Sequence, residues 1–299
     1  MGSKRITWSV AGPGDIRRAS VPRDMGSGKL DHGKVMVVGG SHEFHGAPSL
    51  ASNAAQNLLA AMRTGAGYAV AYVPKGIADV NRKLSASIIV RGLPGDDITA
   101  RNLPVLKDAA AHFDSVVVGI GAGRSAGTLS ALYELISYLG RAGKVAVVDA
   151  DAIYAVHGKG RHLSANTIIT PNDKEFALLY GRNVRKSGTS SRVAAAVALS
   201  NSMGCVVLLK GHETIITDGR RAKLVRSRHA ALAVMGTGDV LSGIIGGFTA
   251  MTKDPFASAV AGAYLHSLIG DRLYSKKGNH IIASDVVEYI PRIMRRFDR

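Results

Sequence analysis

"KVMVVGG" (34–40), "APSLASNAAQNLLAAMRTGAG" (47–67) and "YAVAYVP" (68–74) decide the fold. The first and third stretches are short apolar runs of strand length, and the first ends in glycines. Between them lies a segment with helical spacing, an alanine-rich face and a terminal glycine. Strand, helix, strand is the unit of a parallel sheet. The rhythm continues outward. "SIIVRGLP" and "SVVVGIG" read as strands, and "LSALYELISYLGRAG" is a helix followed by strand "KVAVVDAD". "NTIITP" is a strand and "NDKEFALLYG" a helix stopped by glycine. "SRVAAAVALSNSMG" is a helix leading into strand "CVVLLKG". "ETIITDG" and "AKLVRS" are separated only by a turn and read as a hairpin. The remainder is helical over 239–251, 255–272 and 285–296, the last capped by Ser284 or Asp285. Apolar strands buried on both sides predict an α/β fold with three α/β/α layers. The central sheet is expected to be mainly parallel, with an antiparallel hairpin at one edge.

Composition narrows the class. The 299 residues are 46% hydrophobic and 20% charged, which describes a globular chain with a sizeable core. Residues 1–30, rich in Gly, Pro, Arg and Asp, read as an extended arm or loosely packed lead-in, with one domain over 31–299. Cys205 stands alone inside "CVVLL", so it forms no internal disulfide and reads as a small buried hydrophobe. No signal peptide is visible, and no apolar run nears the ~20 residues of a membrane span. A cytoplasmic protein is therefore expected. The formal net charge is +16. Its densest basic groups, "GRRAKLVRSRH" (219–229) and "PRIMRRFDR" (291–299), are not interleaved with aromatics. That argues against a nucleic-acid stacking platform and for a basic solvated surface.

Ligands in open α/β sheets sit beyond the carboxyl ends of the strands. There the sequence places "GGSHEFHGAPS", "GIGAGRS", "DADA", "TPNDKEF", "KGHET" and "GTGD". The last is the most telling. Gly236, Thr237 and Gly238 precede a helix, so backbone amides can face an anion. Lys210 offers a point charge to a phosphate. Asp239 has two readings, a base for a substrate hydroxyl or the helix N-cap. "VVDADA" can hold Mg²⁺ through Asp149 or Asp151, or these carboxylates bond neighbouring loops. His42, Glu43 and His45 match no common zinc spacing and read as a surface loop.

Taken in order, "GGS…GAPSLAS", "RTGAGY", "VVVGIGAGRS", "VVDADAIY", "IITPNDKEF", "VVLLKGHETII", "ALAVMGTGDVLSGIIGGF" and "GAYLHSLIGD" closely resemble the NAD(P)H-hydrate dehydratases. These are ribokinase-like proteins. The resemblance runs from about residue 25 to "ASDVVEYIP". It implies a ribokinase-like fold without a lid, and a chain lacking the N-terminal epimerase domain that often accompanies the family. It implies a lyase that phosphorylates the hydroxyl of NADHX or NADPHX with ADP or ATP, loses phosphate and restores NADH or NADPH. Lone dehydratases of this type more often use ADP.

The resemblance also implies roles. Asp239 would be the base, and Gly236 and Gly238 would stabilise the transferring phosphoryl group. Lys210, Gly211, His212, Glu213 and Thr214 would bind the nucleotide, with Gly238. Ala47, Gly121, Gly123 and Asn172 would contact the hydrate, with Asp239. Mg²⁺ would bridge the phosphates, with Asp149 or Glu175 as candidate carboxylates. An NAD(P)H-hydrate epimerase would be a functional partner, and a homotetramer the expected assembly. Two departures stand out. The family's "TPHPGEF" is "TPNDKEF" here, with Asn172 in place of a histidine that contacts the hydrate. Its "GPGLG" is "GIGAG". Both changes lie on the hydrate side, which keeps a kinase of another small-molecule alcohol as the alternative. A catalytically silent nucleotide- or nucleic-acid-binding protein is the third reading, and the intact Asp239 and Lys210 argue against it.

Overall fold

A computed structural model describes residues 7–41, 57–84, 86–159 and 162–298. Ten strands form one sheet: β1 (Trp8–Val10), β2 (Lys34–Gly39), β3 (Tyr68–Pro74), β4 (Ile89–Leu93), β5 (Ser115–Ile120), β6 (Val145–Val148), β7 (Thr167–Ile169), β8 (Val206–Leu209), β9 (Glu213–Thr217) and β10 (Ala222–Arg226). Their spatial order is β1-β10-β9-β8-β7-β6-β5-β2-β3-β4. Every pairing is parallel except those of β9, which runs against both β8 and β10. The chain steps one way through β2, β3 and β4 and the other way through β5 to β8. The order therefore reverses between β2 and β5, where a crevice opens beyond the strand ends.

The helices are α1 (Pro13–Ala19), α2 (57–64), α3 (Lys75–Leu84), α4 (Leu103–Ala111), α5 (Ala126–Arg141), α6 (Asp151–Val156), α7 (Asp173–Tyr180), α8 (Thr189–Met203), α9 (Thr237–Thr252), α10 (Pro255–Lys277) and α11 (Ala283–Met294). Alternate residues of each central strand feed opposite faces, because side chains alternate along a strand. Met36, Val118, Val148 and Val207 pack with the α4–α8 side chains. Val37, Val117, Val147 and Leu208 pack with those of α2, α3, α9 and α10. The result is the three-layer arrangement expected. A further cluster, with Ile16, Val240, Ile244, Leu265 and Ile290, seats α1 and α11 outside α9 and α10.

Several details differ from the sequence reading. The hairpin lies one strand in from the edge, because β1 pairs in parallel outside β10. Residues 8–19, read as lead-in, thus complete the sheet and its outer layer. A three-residue strand and a seven-residue helix are too short to show a period. Gly12 and Pro13 start α1, and Asp15 accepts from the Gly12 amide at 2.9 Å and from Lys223 Nζ at 2.7 Å. Helices α3, α4 and α6 were not foreseen. The last helix begins at Ala283 with Ile282 at its cap position, and Asp285 accepts from the Ile282 amide at 3.0 Å. Ser284 has no capping role. Of the helix expected over 47–67, the part before residue 57 lies outside the described residues. Leu58, Ala60 and Ala61 are buried against the sheet and α9.

Helix α9 reaches the sheet because it is built of small residues. A Cβ at Gly243 would stand 2.3 Å from the Asn57 carbonyl oxygen, and one at Gly246 2.7 Å from Val117. Among the described residues no helix is long and apolar enough to cross a membrane.

Ile16 is fully buried. Ile16→Ala is expected to destabilise the protein by about 2–5 kcal/mol, as large-to-small core changes do. Thermal unfolding checks this, and an unchanged Tm would make residues 8–19 the loose arm that the sequence suggested.

Candidate active site

Helix α9 starts at the carboxyl edge of the sheet. Its N-cap is Gly236, at φ 86°, a left-handed conformation that favours glycine. No side chain among the described residues caps its first turn. The contrast with neighbouring helices is informative. Ser125 caps α5, Asn172 caps α7 and Asp254 caps α10. The first-turn amides of α9 are left for an anion.

Asp239 occupies the third position of α9, so it is not the N-cap. Its backbone carbonyl accepts from Asn57 Nδ2 at 2.7 Å, which fixes the turn against α2. Its carboxyl is half-buried. Burial, then the Asp149 charge, push its pKa up to about 7, against the pull of Lys210. Asp151 and Glu175 add to the rise. A carboxylate poised there suits a general base.

Lys210 follows β8, and its Nζ donates to Asp149 Oδ1 at 2.8 Å. It also lies beside Gly238, where a Cβ would stand 3.5 Å from Nζ. Asp149 is buried and Lys210 largely so, and burial opposes both charges. Lys210 still holds Asp149 below the usual carboxylate range, and Asp149 raises Lys210, so both stay ionised. The other Asp149 oxygen accepts a short bond from Ser242 Oγ, and Ser242 also donates to Gly238 O at 3.0 Å. Nothing in the sequence pattern singles out Ser242, although it lies three residues after Asp239. Asn57 was missed as well. So was His266 on α10, whose imidazole meets the Thr237 backbone and is driven to a pKa of about 4 chiefly by burial.

The other segments arrive at the same edge. Asp151 accepts from the Gly123 amide at 2.9 Å and from Arg124 Nε at 2.6 Å. It is the loop anchor, one of the two readings left open for it. Gly121 (φ 58°) and Gly123 (φ 82°) shape the loop beyond β5. Asn172 Oδ1 accepts from the Lys174 and Glu175 amides at 2.9 and 3.0 Å, and Glu175 Oε2 accepts from the Asn172 amide at 2.8 Å. Asn172 is thus engaged as a helix cap. Glu175 keeps its second oxygen open, and burial raises its pKa.

In "KGHET", Glu213 binds Thr189 Oγ1 at 2.5 Å and Arg226 Nε at 3.0 Å, and Thr214 donates to Gly211 O at 3.2 Å. Gly211 lies over the buried Arg192, whose Nη2 would stand 2.7 Å from a Cβ there. His212 is exposed. Ala47, with His42, Glu43 and His45, lies outside the described residues. No group of three or more His, Cys, Asp or Glu able to hold a metal occurs among the described residues.

The basic run 219–229 is divided by the hairpin. Arg220 and Arg221 sit at the far, amino-terminal edge, whereas Arg226 and Arg228 reach the site's edge, paired with Glu213 and Asp271.

This sheet order is the fold of ribokinase-like proteins. The whole chain superposes with TM-score 0.83 on a ribokinase-like superfamily protein of Enterococcus faecalis, at 21% identity and covering 99% of that chain. More specifically, the chain belongs to the NAD(P)H-hydrate dehydratase family, whose model matches residues 35–292. It is 37% identical over 96% of its length to the bifunctional NAD(P)H-hydrate repair enzyme Nnr of Pyrobaculum aerophilum, of which it spans 56%. The chain thus spans about half the length of the bifunctional relatives it matches. It is 34% identical to the ADP-dependent (S)-NAD(P)H-hydrate dehydratase of Cenarchaeum symbiosum, covering 97% of this chain and 98% of that one.

Two outcomes follow from this geometry. The raised carboxyl of Asp239 favours the folded state below about pH 4, and that contribution is lost as pH rises through about 7. Asp239→Asn is therefore expected to raise Tm by a few degrees at pH 8 and much less at pH 4, read by thermal unfolding. Separately, Arg228→Gln is expected to slow nucleotide capture a few-fold at low salt. Arg220→Gln should leave both the rate and its salt dependence unchanged in stopped-flow binding.

Proposed function

We propose that this protein restores hydrated NADH and NADPH, using ADP or ATP to phosphorylate the hydrate's hydroxyl. The observation that carries the reading is the half-buried Asp239, pushed toward neutral pH beside Lys210 and the uncapped first turn of α9. Family membership and the name of the full-length Cenarchaeum relative support the same substrate and the preference for ADP.

Asp239 takes the proton of the hydrate hydroxyl, whose oxygen attacks the terminal phosphorus of the nucleotide. The phosphorus–oxygen bond to the nucleotide's leaving group breaks. The α9 amides at 237–239 and Lys210 face the oxygens of the transferring group, where charge spreads in the transition state. The new phosphate ester is a better leaving group than hydroxide. Its carbon–oxygen bond breaks, a ring proton is lost, and the reduced nicotinamide double bond re-forms.

Mg²⁺ would neutralise phosphate charge. Both Asp149 oxygens are engaged by Lys210 and Ser242, whereas Glu175 has an oxygen to spare. A phosphate-borne ion touching one carboxylate matches how Mg²⁺ usually binds with substrate phosphates. Glu175 would hold it there. Gly121, Gly123 and Asn172 form the acceptor side, and Gly211 to Thr214 the nucleotide side. A cytoplasmic homotetramer working with an epimerase completes the reading.

The test mixes purified protein with NADHX or NADPHX, Mg²⁺ and either ADP or ATP, and follows the absorbance of reduced nicotinamide. Recovery is expected with ADP, with kcat/KM rising through about pH 7 as Asp239 ionises. Asp239→Asn should lose at least about a hundredfold, since general-base catalysis typically contributes 10²–10⁴-fold. Nucleotide binding without recovery would redirect the assignment to another small-molecule alcohol.

A further inference from the structure

The hydrate is itself a polyanion, and the residues so far assigned leave its phosphates without a cation. Lys210 is committed to Asp149 and to the phosphoryl group. The charges of Asp149, Asp151 and Glu175 all reach Asp239, and that of Asp149 reaches Glu175, so this edge is rich in negative charge. One cation is placed to answer it. Arg124 follows the glycine loop of β5, beside the crevice where the strand order reverses.

Its guanidinium is held from two directions. Nε donates to the buried Asp151 at 2.6 Å, and the group lies 3.7 Å from the centre of the Tyr154 ring. The same carboxylate binds the Gly123 amide, so loop and cation are fixed together. Neither Nη group has a hydrogen-bond partner among the described residues, and the side chain is 54% exposed. A planar fork held at its base and stacked on its face is pre-organised to take two phosphate oxygens.

The loop that Arg124 follows packs on the residue just beyond β2. Gly123 packs against Ser41, where a Cβ would stand 3.4 Å from Oγ. Ser41 Oγ is buried and has no partner among the described residues, and the same holds for Asn57 Oδ1 behind Asp239.

We propose that Arg124 is a specificity-determining residue that binds a phosphate group of the dinucleotide hydrate. The assignment rests on the hydrate reading above. Two phosphates share the chemistry: the pyrophosphate, present in both forms, and the 2′-phosphate, present only in the phosphorylated one.

The experiment titrates NADH and NADPH, as stable probes, into wild-type protein, Arg124→Gln and Arg124→Lys, following nicotinamide fluorescence. ADP binding serves as the control. Gln keeps an N–H donor near Asp151, so the loop retains a partner. Arg124→Gln is expected to weaken NADPH at least about tenfold, in the range of a charge-assisted hydrogen bond, with ADP affinity unchanged and partial recovery in Arg124→Lys. Loss for NADPH alone assigns the 2′-phosphate, and equal loss for both assigns the pyrophosphate. Unchanged binding of both probes by Arg124→Gln overturns the proposal while leaving the hydrate reading intact. Parallel loss of ADP affinity also overturns it, since the role would then be structural. Wild-type protein that binds ADP but neither probe overturns the hydrate reading, and this assignment with it.

Discussion

The buried Lys210–Asp149 pair is the interaction around which the site is arranged. It joins the ends of β8 and β6, and through Ser242 it joins both to the first turns of α9. Asp149 is withdrawn from water and held by Lys210, and removing the lysine would leave an uncompensated buried carboxylate, typically a loss of about 3–5 kcal/mol. The pair therefore fixes more than its own geometry. It sets where the lysine stands over Gly238 and how close α9 comes to the strand ends. It also sets how much negative charge Asp239 must tolerate.

The position of α9 has a second determinant, which is steric. Its glycines let it lie directly on β5 and on α2, where any larger residue would meet the Val117 side chain or the α2 backbone. Close approach brings Asn57 within reach of the Asp239 carbonyl. The carboxyl group is then partly desolvated, and its proton affinity rises. Packing in the second layer thus becomes acid–base chemistry at the edge of the sheet. The cap pattern points the same way, since α5, α7 and α10 spend a side chain on their first turn and α9 does not.

The two departures from the family pattern have different physical weights. Asn172 is a good helix cap, and its carbonyl oxygen is fully used in that role. The histidine it replaces cannot be matched in proton chemistry. The loop "GIGAG" is held without proline by Asp151, which ties the Gly123 amide, and by the positive φ values of Gly121 and Gly123. The start of α9 rests on backbone and on an ion pair, whereas Asn172, at the start of α7, is an exposed side chain.

Much of this was legible in the chain. Apolar runs of strand length gave the central strands, and glycine-terminated helical patterns gave α5, α7 and α8. The hairpin followed from a turn between two alternating runs. "GTGD" and the lysine after β8 stood out in the sequence, and the fold brings them together at the carboxyl edge of the sheet. Short elements escaped, as β1, α1 and α6 are too brief for a period to show. The edge position of β1, the open cap of α9 and the raised proton affinity of Asp239 escaped for another reason. So did the contacts of Asn57, Ser242 and Arg124. Each depends on which groups, distant in sequence, share a low-dielectric space. The sequence by itself determined the layers and the residues available for chemistry, since periodicity and residue type are local properties. Only the tertiary structure decided which carboxylate is paired, which is poised and which merely ties a loop, because desolvation and charge coupling exist only after the strand ends are brought together.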